Sequence, residues 1–175
     1  MKKILNAVQV QTAVKRLFEA VAAQLPAEGP IAVVGIRTRG ETLAARIVNY
    51  LREQGRAVEH GVLDITFYRD DLSRSRGAPL VKATEINFDL DNAWTLLVDD
   101  VLNTGRSIRA ALDALHDFGR PSVVRLAVLI DRGGRELPIA ADFVGKTIKA
   151  PPQARVQVQL EENDGEEAVY IIQKD

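Results

Sequence analysis

Three short polar strings, each following an apolar run, hold the residues able to do chemistry. In Leu96-Leu97-Val98-Asp99-Asp100-Val101-Leu102-Asn103-Thr104-Gly105-Arg106-Ser107, two adjacent carboxylates close an apolar run and a small polar loop opens a helical pattern. Backbone amides at a helix start, joined by the Thr104 and Ser107 hydroxyls, suit a phosphate, and the helix dipole adds roughly 0.3–1 kcal/mol. Two carboxylates just before such a site repel an anion but suit hydroxyls or a metal. The ligand that fits offers phosphate on one side and a sugar diol on the other, as ribose 5-phosphate does. The second string, Gly35-Ile36-Arg37-Thr38-Arg39-Gly40-Glu41-Thr42, has the glycine spacing of a P-loop. Glu41 stands where that motif needs lysine, which argues against a nucleoside triphosphatase. The third, Asp64-Ile65-Thr66-Phe67-Tyr68-Arg69-Asp70-Asp71-Leu72, reads by itself as an edge strand running into a charged loop.

The elements that must position these strings follow from hydrophobic period. Ala13, Val14, Leu17, Phe18, Val21 and Leu25 recur at helical spacing from about residue 6 to Pro26. Residues 31–36 read as a buried strand, and Leu43, Ala44, Ile47, Val48 and Leu51 as a helix running toward Gly55. A second strand is expected over 58–68, followed by a long polar loop over 69–80. A third strand is expected over 94–98, ending in an acidic turn, with a helix to Gly119 and a strand over 123–130 behind it. Strands alternating with helices predict an α/β fold, with a parallel sheet flanked by helices through right-handed crossovers. Residues 156–160 and 168–172, around Asn163-Asp164-Gly165, read as a C-terminal β-hairpin. The whole chain, 1–175, is expected to form a single domain. In an open parallel sheet, ligands bind beyond the carboxyl ends of the strands, where all three strings fall.

Composition removes several function classes. The 175 residues include 23 Lys+Arg and 24 Asp+Glu, a formal charge of −1, so nucleic acid or an anionic membrane finds no global basic attraction. The longest apolar runs, 126–130 and 168–172, are five residues each, far below the roughly 18 needed for a membrane span. Asn6, Gln9 and Gln11 interrupt what would be the apolar part of a signal peptide, which makes a cytoplasmic location the expectation. With no cysteine there is no thiolate chemistry, and His60 and His116 lack metal-ligand spacing. Arg46, Arg52 and Arg56 read as a solvated helix face, and Trp94 as packing at a strand start.

The first string resembles the diagnostic element of the type I phosphoribosyltransferases: a hydrophobic strand, two acids, two apolar residues, a variable residue, then Thr-Gly-x-Ser or Thr. That resemblance implies a mainly parallel sheet with a small hood, and transfer from 5-phosphoribosyl 1-diphosphate, with Mg²⁺, to a nitrogenous base. Asp99 and Asp100 would hold the ribose diol and, through the diphosphate, the metal. Val101, Leu102, Asn103, Thr104, Gly105, Arg106 and Ser107 would bind the 5-phosphate, and Thr38, Arg39 and Gly40 the pyrophosphate. The third string, with Asp131-Arg132-Gly133, Arg135-Glu136-Leu137-Pro138-Ile139 and Ala141-Asp142-Phe143-Val144-Gly145-Lys146, is similar to the PyrR family over about 33–146. The implied activity is conversion of uracil to UMP, with Arg69 acting from a catalytic loop and Phe143 and Val144 in the base pocket. It also implies UMP/UTP-responsive binding of pyrimidine-operon leader RNA, through Arg135, Lys146, Lys15 and Arg16, by a homodimer or higher homo-oligomer.

This chain departs from the family pattern at Gly134 and Ala140, where regulators generally carry His and Arg, and at Asn103, commonly Tyr. Asn103 and Asp131 also stand where purine enzymes usually have Asp and Lys, which argues against 6-oxopurines. The competing readings are a nucleotide-sensing regulator without catalysis, and a type I phosphoribosyltransferase for orotate or a 6-oxopurine.

Overall fold

The computed structural model describes residues 1–71 and 82–173. Most of the expected polar loop, 72–81, lies outside the described residues. The chain opens with β1 (Lys2–Leu5), a strand the apolar spacing does not announce, and continues into α1 (Ala7–Ala23). Asn6 fixes that helix start: its side chain accepts the Gln9 amide at 3.0 Å while the Gln9 side chain accepts the Asn6 amide at 3.0 Å. Such a capping box satisfies two otherwise orphaned donors, with a cap contributing about 1 kcal/mol. Val10, Ala13, Val14, Leu17, Phe18 and Val21 form the buried stripe.

Then follow β2 (Ile31–Ile36), α2 (Arg39–Glu53), β3 (Glu59–Leu63), β4 (Trp94–Leu102), α3 (Arg106–Leu115), β5 (Val123–Asp131) and β6 (Phe143–Thr147). The five strands from β2 to β6 form one parallel sheet in the order β3-β2-β4-β5-β6. Side chains alternate between its faces. Val33, Leu96, Val98, Ala127, Leu129 and Phe143 face α1 and α2, whereas Val34, Leu97, Leu126 and Val128 face α3.

Three strand ends differ from the sequence expectation, each for a local reason. β3 stops at Leu63 rather than at 68, because the Asp64 carboxylate accepts the Thr66 amide at 2.8 Å and its hydroxyl at 2.5 Å. These bonds curl 66–68 into a single tight helical turn instead of extending the ladder. β6 escapes a reading by period because it is five residues long and begins at a turn tied by Asp142, whose side chain accepts the Leu126 amide at 2.8 Å. β4 runs on to Leu102, so Asp99 and Asp100 sit inside a strand and not in a turn after it.

That extension makes the crevice. β2 pairs with β4 only as far as Gly35↔Val98, whereas β5 accompanies β4 to Leu102↔Asp131. Strand order also reverses between β2 and β4, the switch point where open α/β sheets bind ligands. The last turns of β4 thus form the floor of a cleft whose other wall is the β2–α2 turn. Two glycines allow that wall to come close. A Cβ on Gly35 would stand 2.6 Å from the Gly40 carbonyl oxygen, and one on Gly40 would stand 2.5 Å from the Val98 carbonyl oxygen.

The C-terminal hairpin is present as β7 (Arg155–Gln159) and β8 (Ala168–Ile172), joined through the short helix α4 (Glu161–Asp164). It is one part of a three-stranded antiparallel sheet, β1-β8-β7, because β1 pairs with β8 as Lys2↔Ile171 and Lys3↔Tyr170. Val156, Val158, Leu160 and Val169 from this sheet join the core beneath α1 and α2. The sheet forms the hood beside the cleft.

Candidate active site

A cavity of about 560 Å³ occupies the cleft and gathers Thr38, Arg39, Arg69, Asp99, Asp100, Val101 and Ser107 from the residues singled out in the sequence. Asp64, Lys82 and Arg155 line it as well. Asp99 is buried and its Oδ1 accepts the Asp100 amide at 2.9 Å. Burial, then the neighbouring Asp100 charge, pushes the Asp99 carboxyl well above the usual carboxylate range. Burial raises Asp100 too, opposed by the Arg39 guanidinium. Two acids this close and this dry favour a bound cation or hydroxyl donors that let them share less than two full charges.

Arg39 starts α2 and is held by the hood. Its Nε and one terminal nitrogen donate to the two Asp164 carboxylate oxygens at 3.0 and 2.5 Å. One Asp164 oxygen also accepts the Leu160 amide at 2.9 Å, so the carboxylate that grips the site arginine is itself tied to the backbone at the start of α4. The same acidic turn takes Thr42 through Asn163 at 2.7 Å, and Arg46 through Glu162 and Glu167 at 2.5 Å. Arg46 therefore pairs with acids of the hood instead of presenting a solvated face. Arg37 is spent on Glu41 at 2.8 Å and Glu85 at 3.1 Å.

Between β4 and α3 the loop turns on Gly105, whose φ of +92° lies in the left-handed region that favours glycine. The Thr104 carbonyl accepts the Glu136 and Leu137 amides at 2.9 and 3.2 Å, and its hydroxyl accepts the Arg106 amide at 3.3 Å. Arg106 reaches outward to Glu136 at 2.7 Å and to Asp70 at 2.6 Å. Thr104 and Arg106 line a smaller hollow of about 170 Å³ beside the main cavity, with Arg69 and Ser107 shared between the two. Leu102 is fully buried in the core and Gly40 serves close packing; neither side of the cleft is lined by them.

A second cavity of about 440 Å³ opens under the hood and shares Arg69, Val101, Ser107 and Arg155 with the first. Asn103, Arg132 and the hood segment 152–156 complete it. Phe143 and Val144 do not line it: Phe143 is buried against α1 and Val144 packs on the α3 side, both below the strand ends. The two residues expected in the base pocket thus stand outside this cavity, which Asn103, Arg132 and 152–156 line. Period reading passes over 150–155, Ala-Pro-Pro-Gln-Ala-Arg, because it forms no regular element before β7. Arg132 had a signal, directly after the apolar run of β5.

Residues 1–163 match the phosphoribosyl transferase domain family. The chain is 51% identical over 173 residues to the bifunctional protein PyrR of Roseiflexus sp. (strain RS-1), covering 98% of this chain and 94% of that one. It is 50% identical over 175 residues to the bifunctional protein PyrR of Thermus aquaticus, covering 99% and 96%. The chain belongs to the PyrR family. Its fold also matches a solved hypoxanthine phosphoribosyltransferase of Trypanosoma cruzi, with a TM-score of 0.70 at 17% identity over 100% of this chain and 98% of that one.

The residues that resemblance to PyrR nominated for RNA do not form one cluster. Lys15 and Arg16 are exposed on α1. Lys146 is exposed on β6, but strand alternation sends it to the face opposite Gly145, where a Cβ would stand 3.1 Å from the Ala13 carbonyl of α1. Arg135 is turned inward, donating to the Asn103 and Ile139 carbonyls at 2.9 Å each and to Asp131 at 2.5 Å. It ties the loop after β5 to the loop after β4. Among the described residues no helix is long and apolar enough to cross a membrane.

Proposed function

We propose that this PyrR-family chain is a uracil phosphoribosyltransferase, converting uracil and 5-phosphoribosyl 1-diphosphate to UMP and pyrophosphate. The observation that carries it is a cavity in which the Thr38–Arg39 turn and Ser107 flank the acid pair, with a second cavity beside it, sharing Arg69, Val101, Ser107 and Arg155, that would take the base. Thr38 and Arg39 would take the diphosphate, Asp99 and Asp100 the ribose diol, and the Thr104–Ser107 turn the 5-phosphate. Among the described residues no group of three or more acids or histidines could hold a metal alone, and two carboxylates facing a diphosphate suit a hard cation that arrives with the substrate. Mg²⁺ bound there would neutralise charge on the leaving pyrophosphate. The uracil N1 would then attack the anomeric carbon as the ribosyl–pyrophosphate bond breaks, with Arg69 at the junction of the two cavities.

The test is pyrophosphate release with Mg²⁺ and uracil, orotate, hypoxanthine or guanine supplied separately. Release with uracil alone is expected. Release with orotate or a purine would reassign the base, and UMP binding without release with any base would leave a nucleotide sensor.

That the relatives are bifunctional proteins supports a second role for the same chain. That role would be UMP/UTP-responsive binding of pyrimidine-operon leader RNA by a homodimer or higher homo-oligomer in the cytoplasm. Lys15, Arg16 and Lys146 are its exposed cations, and with a net charge of −1 a basic surface must be assembled locally. Filter binding at several salt concentrations is expected to give tight, sequence-selective binding with a negative log–log salt slope. Weak binding indifferent to sequence would remove the role.

A further inference from the structure

Among the described residues Arg132 is a buried arginine with no carboxylate partner. It is 6% exposed, and its terminal nitrogens donate only to backbone carbonyls, of Ala154 at 2.5 Å, Pro151 at 3.0 Å and Ala150 at 3.5 Å. Its Nε has no hydrogen-bond partner among the described residues. A guanidinium held this way costs desolvation that three neutral carbonyls offset only in part, so an anion beside it is favoured far more than at the surface.

The surrounding groups reinforce that bias. Among the described residues three arginines line the pocket under the hood, Arg69, Arg132 and Arg155, and no Asp or Glu does. Arg69 is neutralised by Asp71 at 2.7 Å, and Arg155, on β7, is exposed. Asn103 and Ser107, from the β4–α3 side, are neutral. The nearest acids are committed elsewhere: Asp131 pairs with Arg135, and Asp99 and Asp100 belong to the adjoining cavity.

We infer that Arg132 determines base specificity by charge, so that the base reacts as the anion left when its ring N–H is removed. This rests on the transferase reading above. In the step itself, the N1 proton passes to water and the N1 electron pair forms the bond to the anomeric carbon. The ribosyl–oxygen bond breaks with its electron pair leaving on pyrophosphate. A cationic pocket lowers the cost of the anion and selects bases with an acidic N–H. Arg132 also holds 150–154 in place, a structural task that must be separated from the electrostatic one.

The separating experiment compares kcat/KM for uracil and for the more acidic 5-fluorouracil in wild type, Arg132→Gln and Arg132→Lys. The charge role predicts a loss of about tenfold or more with uracil in Arg132→Gln, a clearly smaller loss with 5-fluorouracil, and partial recovery in Arg132→Lys. Equal losses with both bases in both variants would overturn it. A second readout needs no variant: in wild type at saturating uracil and 5-phosphoribosyl 1-diphosphate, the pH at which kcat levels off should lie below the pKa of free uracil, and coincidence with the free value would also overturn the inference. Absence of UMP formation by wild type would instead sink the transferase reading, which the two base analogues do not test.

Discussion

Asp99 links the chemistry of the cleft to the stability of the ligand-free fold. Because burial and Asp100 raise its carboxyl, the folded chain keeps a proton that the unfolded chain releases in the ordinary carboxylate range. Unfolding therefore sheds protons, and stability falls as pH rises from that range through the raised value. Asp99→Asn is expected to show a higher Tm than wild type at pH 8, with the gap closing toward pH 4, and to lose most activity. Thermal scans across pH check the first half and pyrophosphate release the second. Asp100→Ala, if it folds, should lose at least tenfold in activity, about 1.4 kcal/mol of transition-state stabilisation. Both acids were legible because a doublet followed by Thr-Gly-x-Ser ties residue type to a ligand. Arg155 and Asp164 were not, since a lone arginine or aspartate carries no spacing, and only the fold brings Asp164 to Arg39 across 125 positions.

Elements decide how that geometry is held. The β2–α2 turn reaches the acid pair only because Gly40 has no side chain, so Gly40→Ala must push the turn away from the Val98 carbonyl. A loss of about 1–3 kcal/mol in denaturant unfolding is expected, with weaker binding of 5-phosphoribosyl 1-diphosphate. The α4 turn acts on the same arginine from the other side. Asp164→Asn should leave Arg39 less well oriented and raise KM for the diphosphate substrate by about three- to tenfold, more than it lowers kcat. An Arg39→Ala/Asp164→Ala double-mutant cycle should be non-additive. Strands and helices with a long regular period, such as α1, β2 and α2, could be read from the sequence close to their true bounds. β1 and β6 could not, because four or five residues give period too little to work on and their pairing partners lie far along the chain.

The molecule as a whole joins a parallel sheet that forms the acid-lined cleft to a hood that covers the second cavity, and the two meet along Arg69, Val101, Ser107 and Arg155. The alternating architecture of the first was readable from the order of apolar runs; the third strand of the second was not. The pairing of β1 with β8 also fixes an order of events during synthesis. β1 has its sheet partner at residues 168–172, so it waits unpaired until those residues have been made. The turns after β2 and β4 can fold while it waits, and the hood side closes last. A chain arrested at Ala150 should leave Lys2 and Lys3 open to trypsin, and the full chain should shield them. Proteolysis of stalled and released chains would time that closure.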